Sequence, residues 1–403
     1  MSLGTSTERD SRIDFLRGFF ILSMCLDHLG FLLQGVGNNA SLKLYTYQSL
    51  GWSSAAEFFV FFSGYVIATV YSRSLVSRGF WNTQVRGLHR AWELYVRNGF
   101  VFLAVLAVVP WIFSRSNGLI DISRLDLAAN YGERVILAFM RFEYFPAFLE
   151  VLPLYMVLIA MAPGFLYLYA RVKWLPMLLS AFVWLAVQLH PSLNFYTPGG
   201  WHFNPLAWQF VFFLGVWTAK EWPLGEVDRS SRGRKITRVL AVLALCTVLK
   251  LMDKADVRLP LIGVLDIPWL DKTNMQPIRL LHFLLVVRLV ALLMPSNAWI
   301  KRHLMMRGVA RVGTHSLDCF STSIVSCYVL AGLFSWSERG SLEYLSVQFA
   351  NLLLIVLLAL WFQWIKTPPW RAPPGGSIRI QLGADDRQRD RTSASTLQES
   401  AHA

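Results

Sequence analysis

Residues 12–33 of the chain read RIDFLRGFFILSMCLDHLGFLL. The stretch is long enough to cross a bilayer as one α-helix, because a spanning helix needs about 20 mainly apolar residues. It also holds two ionisable side chains, Arg17 and His28, which are costly in lipid and usually face a bundle interior or a wet cavity. Eleven positions apart, they share one stripe of a helix about 16 Å apart along its axis. The stretch predicts a membrane helix with functional groups at two depths.

The rest of the chain repeats this apolar pattern. Of its 403 residues, 55% are hydrophobic and 16% are charged, whereas about a quarter of the residues in soluble proteins are charged. Ten stretches are candidate spans: 13–33, 52–73, 93–113, 147–170, 174–190, 205–219, 237–252, 277–294, 309–334 and 344–365. We therefore predict an all-α fold, a polytopic membrane helical bundle of about ten transmembrane helices.

The net charge of +13 fits membrane topology better than nucleic-acid binding. Lys and Arg concentrate in alternate connecting segments, as they do on the cytoplasmic side of membrane proteins. This predicts that both termini are cytoplasmic and that nucleic acid is not a partner. We expect an N-terminal cytoplasmic segment at 1–12, an integral-membrane domain at 13–366, and a disordered cytoplasmic tail at 367–403, because the tail has few apolar residues.

Three outer connections are long and rich in aromatic and polar residues, at 114–146, 191–204 and 253–276. Aromatic faces beside amides and carboxylates can hold sugars, which have an apolar face and a hydroxylated rim. Trp and Tyr also gather at membrane interfaces as anchors alone. Both interpretations stay open at this point.

His28 is the candidate general base. Glu57 in the second span is expected at the same depth, five residues from the outer end of its span. A carboxylate that accepts a hydrogen bond from one imidazole nitrogen orients the ring and makes the other nitrogen a better base. Asp27 is a rival orienter, although adjacent helical residues point about 100° apart. A purely structural polar network is the alternative.

Arg17 and Arg288 are both expected near the cytoplasmic ends of their spans. Two fixed cations there suit a phosphate- or carboxylate-bearing ligand, whereas snorkelling to the inner headgroups is the simpler explanation, above all for Arg288. The segment GTHSLD (313–318) offers polar contacts between helices as readily as site groups. The four cysteines and the histidines form no metal-type spacing, so no metal site is predicted.

Seven segments, in order along the chain, resemble the OpgC family, which succinylates osmoregulated periplasmic glucans. They are DFLRGFFILSMCLDHLG (14–30), SSAAEFFVFFSGYVIATVYSR (53–73), HRAWELYVRN (89–98), LEVLPLYMVLIAMAP (149–163), FNPLAWQFVFFLGVW (203–217), PIRLLHFLLVVRLV (277–290) and VGTHSLDCFSTSIV (312–325). The resemblance covers about residues 12–335.

This family is similar to a wider class of membrane acyltransferases of about ten spans, in which an Arg and a His mark the active centre at the spacing of Arg17 and His28. The resemblance implies transfer of a succinyl group from cytoplasmic succinyl-CoA to a periplasmic β-glucan, in the bacterial inner membrane. Succinyl-CoA would be a co-substrate, with no permanently bound cofactor. The bilayer is an expected partner, and a homo-oligomer is allowed.

Site residues follow from these expectations. Catalysis is assigned to His28, with Glu57 or Asp27. Donor binding is assigned to Arg17, Arg288, Ser63 and Tyr65. Acceptor binding is assigned to Asn204, Trp208, Gln209, His282 and Arg279.

Two further questions stay open in the sequence. The reaction can be direct transfer or can pass through a covalent acyl intermediate on His28. The rival class of function is a transporter, in which the Arg, His and Glu side chains form a proton or anion relay, and a structural or sensory membrane protein is a third class.

Overall fold

A computed structural model describes residues 10–37, 46–113, 124, 131–194, 201–223, 231–254, 258–259, 263–264 and 269–366. The predicted tail from residue 367 and most of the predicted segment 1–12 lie outside these residues. The chain consists of two compact units, Met1–Phe362 and Gln363–Ala403. The fold and the site below belong to the first unit.

The described residues are almost entirely helical, which confirms the predicted all-α class. The helices are α1 (Ser11–Val36), α2 (Tyr47–Leu50), α3 (Ala55–Phe113), α4 (Val135–Met140), α5 (Val151–Arg171), α6 (Leu175–Leu189), α7 (Pro205–Glu221), α8 (Arg232–Lys254), α9 (Pro277–Leu293), α10 (Asn297–Arg302), α11 (Leu304–Thr314), α12 (Ser316–Ser335) and α13 (Ser341–Lys366). A 3₁₀ turn spans Gly132–Arg134. Two short antiparallel strands, β1 (Arg258–Leu259) and β2 (Gly263–Val264), pair between α8 and α9.

Helix α1 starts and stops where its sequence provides caps. The Asp10 side chain accepts a hydrogen bond from the Arg12 backbone N–H at 3.0 Å, which satisfies a donor of the first turn. At the other end Gly37 takes a left-handed conformation (φ 83°) and donates its N–H to the Gln34 carbonyl, a conformation that glycine adopts without a steric penalty. Arg17 and His28 are therefore on one continuous helix.

Five helices are long and apolar enough to cross a bilayer by length and composition: Ser11–Val36, Ala55–Val108, Val151–Arg171, Ser316–Ser335 and Ser341–Lys366. Each of the ten predicted spans nevertheless overlaps a described helix. The counts differ partly because α3 covers two predicted spans, and because α6, α7 and α9 have only 15, 17 and 17 residues. The count of ten stays a prediction.

The structure joins two predicted spans into one helix and divides another predicted span into two helices. The connection expected between the second and third spans is helical, and α3 bends at Gly79, whose φ of 78° is outside the helical region. The expected span 309–334 is two helices, because His315 between α11 and α12 has a non-helical backbone (φ −104°, ψ 32°). The break places Ser316 at the first turn of α12.

Helices α1 and α11 cross in direct backbone contact at two glycines. A Cβ atom on Gly18 would lie 1.8 Å from the Val309 carbonyl oxygen, and one on Gly313 would lie 1.7 Å from the Asp14 carbonyl oxygen. Small residues let membrane helices approach this closely. The position of the helix that carries Arg17 and His28 is therefore set by α11.

Helices α3 and α7 also cross in direct backbone contact at two glycines. A Cβ on Gly64 would lie 2.0 Å from the Phe212 carbonyl oxygen, and one on Gly215 would lie 2.0 Å from that of Phe61. Helix α3 also packs against α5 and α1. The start of α3, where Glu57 lies, is thus fixed within the bundle.

Candidate active site

A polar cavity of about 320 Å³ lies beside the second half of α1. It is enclosed by α1, the start of α3, the turn before α5, and parts of the two connections that precede α7 and α9. Its ionisable lining residues are Asp27, His28, Arg124, Glu150, His202 and Lys272. The cavity therefore brings the predicted base together with charged residues from four separate parts of the chain.

The imidazole of His28 is held by ring packing. It stacks on Phe148 with ring centroids 3.9 Å apart and an interplanar angle of 18°, and it makes a T-shaped contact with Phe320 at a centroid distance of 6.4 Å. The Nδ1 atom is buried and, within the described residues, has no hydrogen-bond partner. Stacking fixes the plane of the ring, and Nδ1 is left with unused hydrogen-bonding capacity.

Neither predicted orienter hydrogen-bonds His28 in the described residues. Asp27 accepts a hydrogen bond from the Thr46 hydroxyl at 2.5 Å through Oδ1, and its buried Oδ2 has no partner among the described residues. Glu57 is fully buried and directed to another partner. The expected imidazole–carboxylate hydrogen bond is therefore absent from this arrangement, because Asp27 and Glu57 contact other groups.

Glu57 forms a buried ion pair with Arg279. The Arg279 Nε and Nη2 atoms both lie 2.6 Å from Glu57 Oε1. The other oxygen accepts hydrogen bonds from the Ser54 backbone N–H at 2.8 Å and from the Ser54 hydroxyl. Both carboxylate oxygens are thus occupied, and the pair joins the start of α3 to the first turn of α9.

Lys272 and Arg124 line the cavity, and neither was among the predicted site residues. The Nζ of Lys272 lies 5.0 Å from the centre of the Phe203 ring. Burial lowers the pKa of this ammonium group, and the nearby carboxylates of Glu57, Glu150 and Asp27 oppose the shift. The Lys272 amino group thus lines the same cavity as His28.

The rim of the cavity carries a second charged cluster. Arg124 donates a hydrogen bond to Glu150 at 2.6 Å, and its Nη2 lies 3.4 Å from His202 Nδ1. The His202 Nε2 lies 3.9 Å from the same Glu150 oxygen. Burial, together with Arg124 and Lys272, lowers the pKa of His202 to about 4, so this imidazole is neutral at pH 7.

A family model described as OpgC protein matches residues 9–367. The chain belongs to the OpgC family. No curated protein matches the chain. Membership indicates a membrane acyltransferase-type role in glucan modification.

Three residues assigned to acceptor binding in this OpgC chain have hydrogen-bond partners within the protein. The Asn204 amide donates to the Leu193 carbonyl at 2.8 Å and to Asn274 at 2.9 Å, and the Trp208 indole donates to the Lys272 carbonyl at 3.1 Å. The Gln209 amide is paired with Ser180. All three are buried: Asn204 and Trp208 hold the connection that carries Lys272, and Gln209 joins α7 to α6. Their role in acceptor binding stays a prediction.

The other two acceptor candidates lie together on α9. Arg279 is paired with Glu57, as described above. His282 is buried, with Nδ1 2.9 Å from the Ser53 hydroxyl, and Gly51 lies so close that a Cβ there would be 2.4 Å from the imidazole. Both side chains stabilise the contact between α9 and the start of α3.

The donor-binding candidates of the OpgC chain occupy different environments. Arg17 donates a hydrogen bond to the Ser316 hydroxyl, so the helix break at His315 supplies its partner. Ser63 and Tyr65 are buried on α3. Arg288 is exposed on α9, and no described contact joins it to Arg17. Their role in donor binding stays a prediction.

The GTHSLD segment contributes contacts between helices near Arg17. Asp318 pairs with Arg97 of α3, and its other oxygen lies 4.0 Å from His315 Nδ1. Together with the Arg17–Ser316 contact, these interactions link α1, α3 and α12. The polar residues of this segment therefore connect the helices around the first half of α1.

Proposed function

We propose that this protein is an integral-membrane O-acyltransferase that moves a succinyl group from cytoplasmic succinyl-CoA to glucosyl hydroxyls of osmoregulated periplasmic glucans. Membership of the OpgC family supports glucan modification. The position of His28 in a polar cavity is the observation that carries the chemical part of the proposal. Succinyl-CoA is a co-substrate, and no other cofactor takes part.

The proposal includes a topology. About ten helices cross the bacterial inner membrane, and both termini are cytoplasmic. Arg17 then lies on the donor side and His28 on the acceptor side, about 16 Å apart along α1. The thioester arm of the donor reaches from one to the other, so the acyl group crosses most of the bilayer while it is still attached to CoA.

The chemical step is a direct acyl transfer. A glucosyl hydroxyl oxygen attacks the thioester carbonyl carbon while His28 accepts the hydroxyl proton. The tetrahedral intermediate collapses, the carbon–sulfur bond breaks, and CoA leaves as a thiolate that takes up a proton. General-base catalysis of this kind contributes about 10²–10⁴-fold to the rate.

Packing and charge support this role for His28. The ring is stacked on Phe148, and its buried Nδ1 has no partner in the described residues. Asp27 is the nearer candidate to orient the ring when substrate is bound, since it lines the same cavity, whereas Glu57 is occupied by Arg279. Catalytic hydrogen bonds are often long in unliganded enzymes and tighten in the complex.

Donor binding is assigned to the inner half of α1 and its neighbours. Arg17, with Ser63 and Tyr65 on the adjacent α3, contacts the CoA arm in this proposal. Arg288 has the weakest support, because its exposed position equally suits an interaction with lipid headgroups.

The test is succinyl transfer from labelled succinyl-CoA to glucan by the purified protein in lipid vesicles. His28→Ala is expected to lower the rate at least 100-fold, because it removes the base. His190→Ala is the matched control, since His190 is exposed at the end of α6, and it should leave the rate unchanged. A near-normal rate for His28→Ala would remove His28 from the mechanism.

The same preparation separates the rival functions. If the intact protein transfers no acyl group from any donor but carries protons or anions across the vesicle, the transporter alternative replaces the acyltransferase. Rapid quenching during turnover tests for an acylated His28, and a labelled protein intermediate would replace direct transfer by a two-step reaction.

A further inference from the structure

We propose that Lys272 is a specificity-determining residue that binds the distal carboxylate of a dicarboxylic acyl group. The inference rests on the proposed function, because it concerns the acyl group held beside His28. It names the group that distinguishes a four-carbon diacid from a neutral acyl chain of the same length.

The first argument is the pairing of charges around the cavity. Arg279 is engaged with Glu57 at 2.6 Å, and Arg124 with Glu150 at 2.6 Å. Within the described residues, Lys272 has electrostatic interactions with these carboxylates but no hydrogen bond or close ion pair at Nζ. Its Nζ lies 5.0 Å from the centre of the Phe203 ring. An ammonium group with open donor positions in a cavity is suited to bind an anion.

The second argument is the way the residue is held. Hydrogen bonds across Lys272 stabilise the connection before α9. The Asp271 carboxylate accepts them from the backbone N–H groups of Thr273 at 3.1 Å and Asn274 at 3.0 Å. The Lys272 carbonyl accepts a hydrogen bond from the buried Trp208 indole. The backbone is thus fixed before any ligand binds, which reduces the entropy lost on binding.

The third argument is the size of the cavity. A sphere of 320 Å³ is about 8 Å across. The two carbonyl carbons of an extended succinyl group are about 4 Å apart, from three carbon–carbon bonds of about 1.5 Å each. The cavity, which His28 and Lys272 both line, is therefore wide enough to hold the thioester carbonyl and the distal carboxylate together. A neutral four-carbon acyl group would desolvate the ammonium without pairing it, which is unfavourable.

Two other roles for Lys272 predict different outcomes. If it stabilised the oxyanion of the tetrahedral intermediate, its loss would slow transfer of every acyl group equally. If it only balanced the charges of Glu57, Glu150 and Asp27, its loss would lower the stability of the protein and leave the preference between donors unchanged.

The experiment compares succinyl-CoA with butyryl-CoA as donors, with the full-length protein in lipid vesicles. Butyryl has the same number of carbons and lacks the carboxylate. For Lys272→Met we expect kcat/KM with succinyl-CoA to fall about 10- to 100-fold, the worth of a hydrogen bond to a charged group. The value with butyryl-CoA should stay constant or rise. Lys272→Arg should keep most of the preference for succinyl.

Lys173→Met is the matched control, because it removes a lysine that is exposed between α5 and α6. It should change neither value. An equal loss with both donors in Lys272→Met, or no loss with either, would overturn the proposal. If the wild-type protein transfers neither group, the proposed function itself has failed, and this assignment falls with it.

Inhibition by free succinate tests the proposal even if the Lys272 variants fold poorly. Free succinate should inhibit the wild-type protein competitively and should inhibit the folded fraction of Lys272→Gln at least tenfold more weakly. Equal inhibition of the two proteins would also overturn the proposal. Butyrate should inhibit both proteins weakly and equally.

Discussion

Replacing Gly313 by alanine should move the helix that carries both Arg17 and His28. The added Cβ would lie 1.7 Å from the Asp14 carbonyl oxygen, whereas ordinary contact begins at 3.4 Å. The opposing atom belongs to the backbone, so no rotamer change can relieve the overlap. Helices α1 and α11 must therefore separate by about 1.7 Å at this crossing.

The size of the effect follows from two opposing contributions. Alanine favours a helix over glycine by about 1 kcal/mol, while overpacking a close contact costs about 1–3 kcal/mol or more. A backbone overlap of this depth belongs to the upper part of that range, so the net change should be destabilising. A displacement of about 1 Å in a positioned group can lower a rate about 100-fold, so we expect at least that loss in succinyl transfer.

The assay combines thermal unfolding in detergent with succinyl transfer in vesicles. Gly308→Ala is the matched control, because Gly308 is on the same helix and a Cβ there would have no neighbour within 4 Å. That control should be as stable as the wild type or more so, and fully active. If Gly313→Ala behaved like Gly308→Ala, α1 would not be positioned by this crossing, and the reasoning would be refuted.

Two further predictions concern charge. Glu57→Gln and Arg279→Met should each lower the free energy of unfolding by about 3–5 kcal/mol, since each leaves a buried charge without its partner. In thermal denaturation the double variant should recover part of this loss. Single variants within about 0.5 kcal/mol of the wild type would contradict the structural role of the pair. Burial lowers the pKa of Lys272 below the ordinary 10.5, so its proton is lost at a lower pH than that of an exposed lysine. The ratio of succinyl to butyryl transfer should therefore fall as pH rises toward 10.5. The carboxylates of Asp27, Glu57 and Glu150 stabilise protonated Lys272 and oppose this fall, whereas Arg279 favours loss of the Lys272 proton. Lys272→Arg, whose guanidinium stays charged, should give a flat ratio, and a flat wild-type ratio would show that the charge of Lys272 does not set the preference.

The sequence predicts α1 well because every signal there is local. The apolar run, the cap at Asp10 and the glycine at residue 37 fix its length, and the helical repeat puts Arg17 and His28 on one stripe. The sequence does not predict the break at His315, because polar residues such as those of GTHSLD (313–318) also occur within continuous helices and the partner of Ser316 is Arg17, nearly 300 positions away.

The pairing of Glu57 could not be predicted in the same way. Equal depth in two consecutive spans made His28 a plausible partner, but depth does not fix which face of a helix meets which neighbour. Arg279 is 222 positions from Glu57 in the chain, and its guanidinium offers two donors to one oxygen. A bidentate charged donor is a stronger partner for a buried carboxylate than an imidazole, which explains why Glu57 pairs with Arg279.

The placement of charges around the cavity suggests how structural and functional ionisable groups differ in this bundle. Arg279 and Glu57 lie on regular helices and neutralise each other, so their cost in lipid is offset by their mutual contact. His28 and Lys272 line one cavity, and in the described residues neither has a close ionic partner. A buried or half-buried polar group that the protein leaves unpaired has a cost that a bound ligand or water can offset. Depth within a span is therefore a weaker indication of function than the lack of a protein partner, and by that criterion Lys272 ranks beside His28 although it lies in a connecting segment.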